Sequence, residues 1–216
     1  REGSEGDHPP ERIEAARTRL RAMSESDLAR LEANLIGWVP AREFIHDRES
    51  FRRALDVYRD MSVEGFRDNL IAFLREITPV AEEVGVRMAI HPDDPPFPIF
   101  GLPRVVSSEA DAAAILAGCP SPANGLTLCT GSYGAGAHND LPAMARRFAS
   151  DIHFAHLRNV TKEADGSFHE AEHLGGDTDM IAVVRALMAE ERRRKAEGRA
   201  GFVAGNIVDR FFHLTV

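Results

Sequence analysis

Residues 87–96, Arg-Met-Ala-Ile-His-Pro-Asp-Asp-Pro-Pro, constrain the fold more than any other part of the chain. The stretch starts as a short apolar strand, Met88 to Ile90, and ends in a histidine, two carboxylates and three prolines. Proline lacks the N–H that a sheet ladder needs, so the strand stops near His91 and the polar cluster sits at its carboxyl end. In α/β proteins that end is where chemistry is assembled. Two later apolar segments repeat the arrangement, one ending at Cys129 and one at His156 and Leu157.

The chain around these segments alternates. Before the first, Val63, Phe66, Leu70, Leu74, Ile77, Ala81 and Val84 recur at three- and four-residue spacing, which predicts one long amphipathic helix. Pro79 should bend it and Gly85 stop it. A strand over 86–91 leads to a Pro-rich loop, and Ser107 or Ser108 caps a helix through Ala117. A strand over 126–129 leads to a Gly-rich loop, 130–136. Asn139 or Asp140 then caps a helix with Leu141, Met144 and Phe148 inward. A strand over 152–157 leads to a polar loop, 158–177. Thr178 or Asp179 begins a helix to about Glu197, with Ile181, Val184, Leu187 and Met188 inward.

Strand, loop and helix three times over predict an α/β fold with a parallel sheet. Longer loops at the strand carboxyl ends point to a (β/α) barrel with its working face there, and a complete eightfold barrel needs ~250 residues. This chain has 216, with three strong strands and a weaker fourth in 201–208. The expectation is a partial (β/α)₈ TIM barrel, one incomplete domain over 1–216. Its N-terminal region is helical. Residues 1–8 read as disordered, and Pro9-Pro10 open a helix carrying Ile13, Ala16, Leu20 and Met23. Ser26-Asp27 cap a second with Leu28, Leu31 and Leu35, closed by Pro40. A short third carries Phe51, Leu55 and Tyr58.

A net charge of −8, from 34 acidic and 26 basic residues, argues against a nucleic-acid partner. No apolar run approaches the ~20 residues of a membrane span, and the N-terminus lacks the apolar core of a signal peptide. Two cysteines without a CxxC pair suggest neither a disulfide framework nor a zinc knuckle. A cytoplasmic setting fits. A homo-oligomer stays open. The run Arg192-Arg193-Arg194-Lys195 reads as a solvated helix end.

Carboxyl ends of neighbouring parallel strands converge on one mouth, which would gather His91, Cys129 and His156. Imidazole nitrogen and thiolate sulfur are good ligands for divalent transition metals, and such a set leaves positions open for substrate oxygens. The alternative for each is bland: a hydrogen-bonded strand-end histidine, or a cysteine used as a small core residue. Asp93 and Asp94 could hold a ligand imidazole or a sugar hydroxyl, serve as a base, or form a turn. The loop over 130–136 could approach an anion through backbone N–H groups or be a flexible turn; it is no P-loop. Arg158 could clamp a carboxylate, or pair at the surface. His153 is three residues from His156, so the two point to opposite faces, and His156 is the one expected at the mouth. His169, Glu170 and His173 could cover the site as a lid or be solvated.

At these residues the chain resembles the metal-dependent D-mannonate dehydratases, whose barrel is similar to that of xylose isomerase. The resemblance rests on Met-Ala-Ile-His-Pro-Asp-Asp-Pro-Pro (88–96), Leu-Cys-Thr-Gly-Ser (128–132), His-Leu-Arg-Asn-Val (156–160), Phe168-His169-Glu170, His173-Leu174 and Asp179-Met180, with the helix end over 79–86. It covers roughly residues 60 to 197. It implies a (β/α)₈ barrel that removes water from D-mannonate to give 2-keto-3-deoxy-D-gluconate in hexuronate (glucuronate) breakdown. It also implies Mn²⁺ or Fe²⁺ held by His91, Cys129 and His156. Asp93 and Arg158 would be catalytic, and Asp94, Ser132, Asn159 and His173 would bind substrate. The family's fourth ligand lies in an Arg-Pro-Asp-His-Gly segment, which the tail over 201–216 does not match; Asp209 and His213 stand at the wrong spacing. The family's opening strands are also missing, so the expectation is a barrel fragment truncated at both ends. Two other readings stay open: a non-catalytic remnant or partner-dependent binder of metal or sugar acid, and another xylose isomerase-like sugar isomerase.

Overall fold

The structure is a computed structural model, and it describes residues 4–38, 45, 47–164 and 166–198. The chain divides into two compact units, one of residues 1–62 with 98–103 and the other of residues 63–97 with 104–216.

The first unit is helical. A 3₁₀ turn, Ser4–Asp7, stands where the sequence predicts disorder over 1–8, and precedes α1 (Pro10–Ala22) and α2 (Glu25–Trp38). Pro10 opens α1, where a missing N–H costs nothing. The cap before α2 is Ser24, not Ser26-Asp27: its hydroxyl accepts the Asp27 N–H at 3.2 Å and donates to the Asp27 carboxylate at 2.7 Å. Helix α3 (Arg48–Asp56) starts with a reciprocal capping box between Asp47 and Ser50. It buries Leu55, and Phe51 meets Phe100 edge to face at 4.9 Å.

The second unit carries the sheet. Helix α4 (Val63–Glu83) runs through Pro79 and buries Leu74, Thr78 and Ala81. The ends of its predicted stripe, Val63 and Val84, are exposed. The strand expected over 86–91 is reduced to one parallel bridge between Ile90 and Leu126, flanked by Met88 N–H to Ala123 O and Ile90 N–H to Gly125 O. Ser108 caps α5 (Glu109–Gly118), with Asp111 returning the bond. Then β1 (Leu126–Cys129) pairs in parallel with β2 (Ile152–His156), in a register that sets Cys129 opposite His156. Between them lie α6 (Thr130–Ala135) and α7 (Leu141–Arg147), the latter capped by Asp140.

Two expected loops are therefore structured. Residues 130–135 form a fully buried helical turn that starts directly after β1, because the Cys129 sulfur caps it by accepting the Ser132 N–H at 3.4 Å. The polar stretch after β2 folds into an antiparallel hairpin, β3 (Asn159–Lys162) with β4 (Phe168–Ala171). Helix α8 (Met180–Ala196) follows, capped by Asp179. It buries Met180, Val183, Leu187, Glu190 and Arg194; of the four residues expected inward, Leu187 is buried, Val184 is half-buried, and Ile181 and Met188 are exposed. The core gathers Leu126, Leu128 and Ile152 of the sheet with Tyr133, Met144, Val183 and Leu187. A second cluster joins Leu74 to Val105, Val106 and Ile115, and Ile90 touches both. The expected fourth strand over 201–208, with Asp209 and His213, lies outside the described residues. No helix among them is long and apolar enough to cross a membrane.

Candidate metal centre

The parallel register delivers the two later strand ends side by side, and the bridge at Ile90 delivers the first. Donor atoms of His91, Cys129 and His156 all lie within 4.8 Å of one another, with His91 exposed, Cys129 buried and His156 between. His156 Nδ1 is 3.3 Å from the Cys129 sulfur and 3.4 Å from His91 Nε2. Two ligands ~2.1 Å from one tetrahedral metal are separated by about 3.4 Å. The donor set and its spacing fit a divalent transition metal. The His91 Nδ1–H donates to Pro92 O at 2.7 Å, a common second contact of a ligating imidazole, and Nε2 is the ring nitrogen turned towards His156.

Electrostatics favour a thiolate at Cys129. Burial opposes a charged Cys129. Hydrogen bonds with His156, His91 and Ser132 outweigh it and bring the thiol down to about 5. The hydrogen bond to Cys129 in turn holds His91 above an ordinary imidazole, against its partial burial. A thiolate is the form a metal binds.

The sequence profile of D-mannonate dehydratase (UxuA) matches residues 8–203. The chain belongs to this family. It is 52% identical to a mannonate dehydratase of Saccharophagus degradans over 198 residues, 92% of this chain and 50% of that protein. It is 51% identical to one of Chromohalobacter salexigens over 199 residues, 92% of this chain and 51% of that protein. The chain thus spans about half the length of the curated relatives it matches. A crystal structure of mannonate dehydratase from Streptococcus suis superposes with a TM-score of 0.61 at 44% identity, over 63% of this chain and 40% of that one.

Within this member of the D-mannonate dehydratase family, the other expected site residues divide. Arg158 and Asp94 come together at the triad's rim: the guanidinium meets the Asp94 carboxylate at 2.5 Å and Glu170 of β4 at 2.8 Å. Its side chain lies over Gly131, where a Cβ would collide with it. Glu170 thereby joins the rim, and His169 is exposed beside Glu163. Asp93 turns away to hold the loop, accepting the Val105 and Val106 N–H groups at 3.0 and 2.9 Å with Arg104 at 3.5 Å.

Two of the residues expected to bind substrate are buried. Ser132 is fully buried with its hydroxyl 3.2 Å from the Cys129 sulfur, where it supports the thiolate. Asn159 is 1% exposed; its amide donates to His173 O and Thr178 O and accepts from the Val160 and Thr178 N–H groups. It pins the start of β3 to the turn before α8. His173 is exposed and contributes its carbonyl to that pin. His153 faces away, with Nδ1 2.6 Å from Met88 O, as strand alternation predicts. Sequence reasoning passed over Thr130 and Gly131, although both lie within the matched motif; their roles depend on the neighbouring strand.

Proposed function

We propose that this chain acts in the dehydration of D-mannonate to 2-keto-3-deoxy-D-gluconate, with its strands as consecutive members of a (β/α) barrel. The observation that carries this reading is the convergence of the donor atoms of His91, Cys129 and His156 within 4.8 Å of one another at the carboxyl end of a parallel sheet. The resident metal is Fe²⁺ or Mn²⁺; two imidazoles and a thiolate suit Fe²⁺ better, since Mn²⁺ prefers oxygen donors. When bound, such a metal supplies Lewis acidity to the substrate's carboxylate and an adjacent hydroxyl, which makes the C2 proton more acidic.

The rest falls to the chain's own residues. Arg158 presents donors suited to a carboxylate, and its present partners Asp94 and Glu170 mark where an anionic group is held. Of the adjacent carboxylates, Asp94 stands exposed at the rim and Asp93 is engaged with backbone N–H groups, so Asp94 is the better placed to exchange a proton with the sugar acid. Loss of the C2 proton and of the C3 hydroxyl as water leaves an enol, which becomes the 2-keto product.

The test is product analysis with the purified chain supplied with Fe²⁺ or Mn²⁺ and D-mannonate. Formation of the 2-keto-3-deoxy acid, abolished in Cys129→Ser, is the expected result. Isomerised sugar acid instead would assign the site to an isomerase, and no turnover would sink the reading for this chain.

A further inference from the structure

Thr130 is fully buried and follows Cys129 directly. Its hydroxyl accepts the Arg158 N–H at 2.9 Å and donates to Arg158 O at 2.7 Å, with His156 O nearby at 3.2 Å. The β1–β2 ladder ends at the pair Cys129 and His156, so residues 157 and 158 leave the sheet beyond its last rung. One hydroxyl therefore takes over where the ladder stops. It is carried by the residue after one triad member, and it holds the segment that begins with another and ends with Arg158.

The residue type suits the task. A β-branched side chain has few rotamers, so its hydroxyl is fixed in direction. Serine could make the same bonds with more freedom, whereas valine has the same shape and neither donates nor accepts. Groups that orient the ligands of a metal typically change affinity about 10- to 100-fold when removed. We propose that Thr130 is a positioning residue of the metal centre, setting His156 and Arg158 against Cys129 across the strand ends. This rests on the reading of the triad as a metal centre, and the experiment separates the two.

The test is a Co²⁺ titration of the full chain, followed through the thiolate-to-cobalt absorption band, for wild type, Thr130→Val, Thr130→Ala and Thr130→Ser. Alanine is included because it leaves room for a water to satisfy the Arg158 N–H, so it should fold even if valine does not. The wild type should bind one Co²⁺. T130V and T130A should bind it about 10- to 100-fold more weakly, with a shifted band. T130S should stay within a few-fold of wild type. Amide exchange at Arg158 in the metal-free chain should quicken in T130V or T130A and not in T130S. Wild-type affinity and an unshifted band in T130V or T130A would overturn the inference while leaving the metal centre intact. A wild-type chain that takes up no Co²⁺ would overturn both.

Discussion

Cys129 shows how a single buried residue can be set for chemistry by its neighbours. It has no exposed surface, and burial alone would raise its thiol. Hydrogen bonds from His156, His91 and Ser132 reverse the direction and bring it from 9.0 to about 5. The folded value lies below the unfolded one, so ionised Cys129 contributes stability that is complete above pH 9 and lost as pH falls towards 5. Ultraviolet absorbance of the thiolate, read in a metal-free Cys119→Ser background, should titrate near pH 5 and vanish in Cys129→Ser. His91→Gln should move the midpoint upward, because it removes one of the opposing hydrogen bonds. A midpoint near 9 in the parent would show that the triad is not assembled without metal. The three triad residues were readable from strand ends alone. Ser132 and Asn159 were readable as motif members, but a motif does not say whether a side chain faces the mouth or the core.

At the scale of elements, β1 and α7 stood where apolar pattern and capping residues placed them, because both signals are local. The strand over 86–91 did not persist beyond a bridge, and the turn over 130–135 gained a helix from a cysteine sulfur acting as cap, which no propensity for Thr-Gly-Ser anticipates. Helix α8 shows a different failure. Its inward face runs Met180, Val183, Leu187, Glu190, Arg194, so the apolar period is continued by a charged pair. The pattern therefore reads the basic run as a solvated end, which holds for Arg192, Arg193 and Lys195 but not for Arg194. Arg194 is 1% exposed, bonds Glu190 at 2.6 Å, and donates to Ala149 O, Ser150 O and Ile152 O. It ties the end of α8 to the start of β2. Breaking a buried pair by removing one partner costs about 3 kcal/mol or more, whereas exposed ion pairs contribute up to about 1 kcal/mol. Arg194→Met should thus lower the unfolding free energy by about 3 kcal/mol in denaturant titration. Its neighbour Arg193, which reaches the same Glu190 from an exposed position, should be replaceable by Met with a much smaller loss. Equal losses would mean that α8 is not anchored through Arg194.

At the scale of the whole molecule, the triad couples segments that nothing local joins. His91 and His156 are 65 residues apart, and Cys129 and His156 are 27 apart. An unfolded chain brings such distant groups together poorly, whereas the folded chain holds them within 4.8 Å. A metal at this site therefore binds the native state with little competition from the unfolded one. At a metal concentration 100-fold above Kd, that linkage adds about 2.7 kcal/mol to the unfolding free energy. Denaturant titration with and without Co²⁺ or Mn²⁺ at that excess should show an increment of this size in the wild type and none in Cys129→Ser. The comparison has to be made at a pH above the His91 transition, which the Cys129 hydrogen bond raises, because a protonated imidazole cannot ligate. On lowering the pH through that transition the increment should shrink, since proton and metal compete for His91. An increment that survives in Cys129→Ser would place the bound metal elsewhere on this acidic chain, and one that ignores pH would remove His91 from the ligand set.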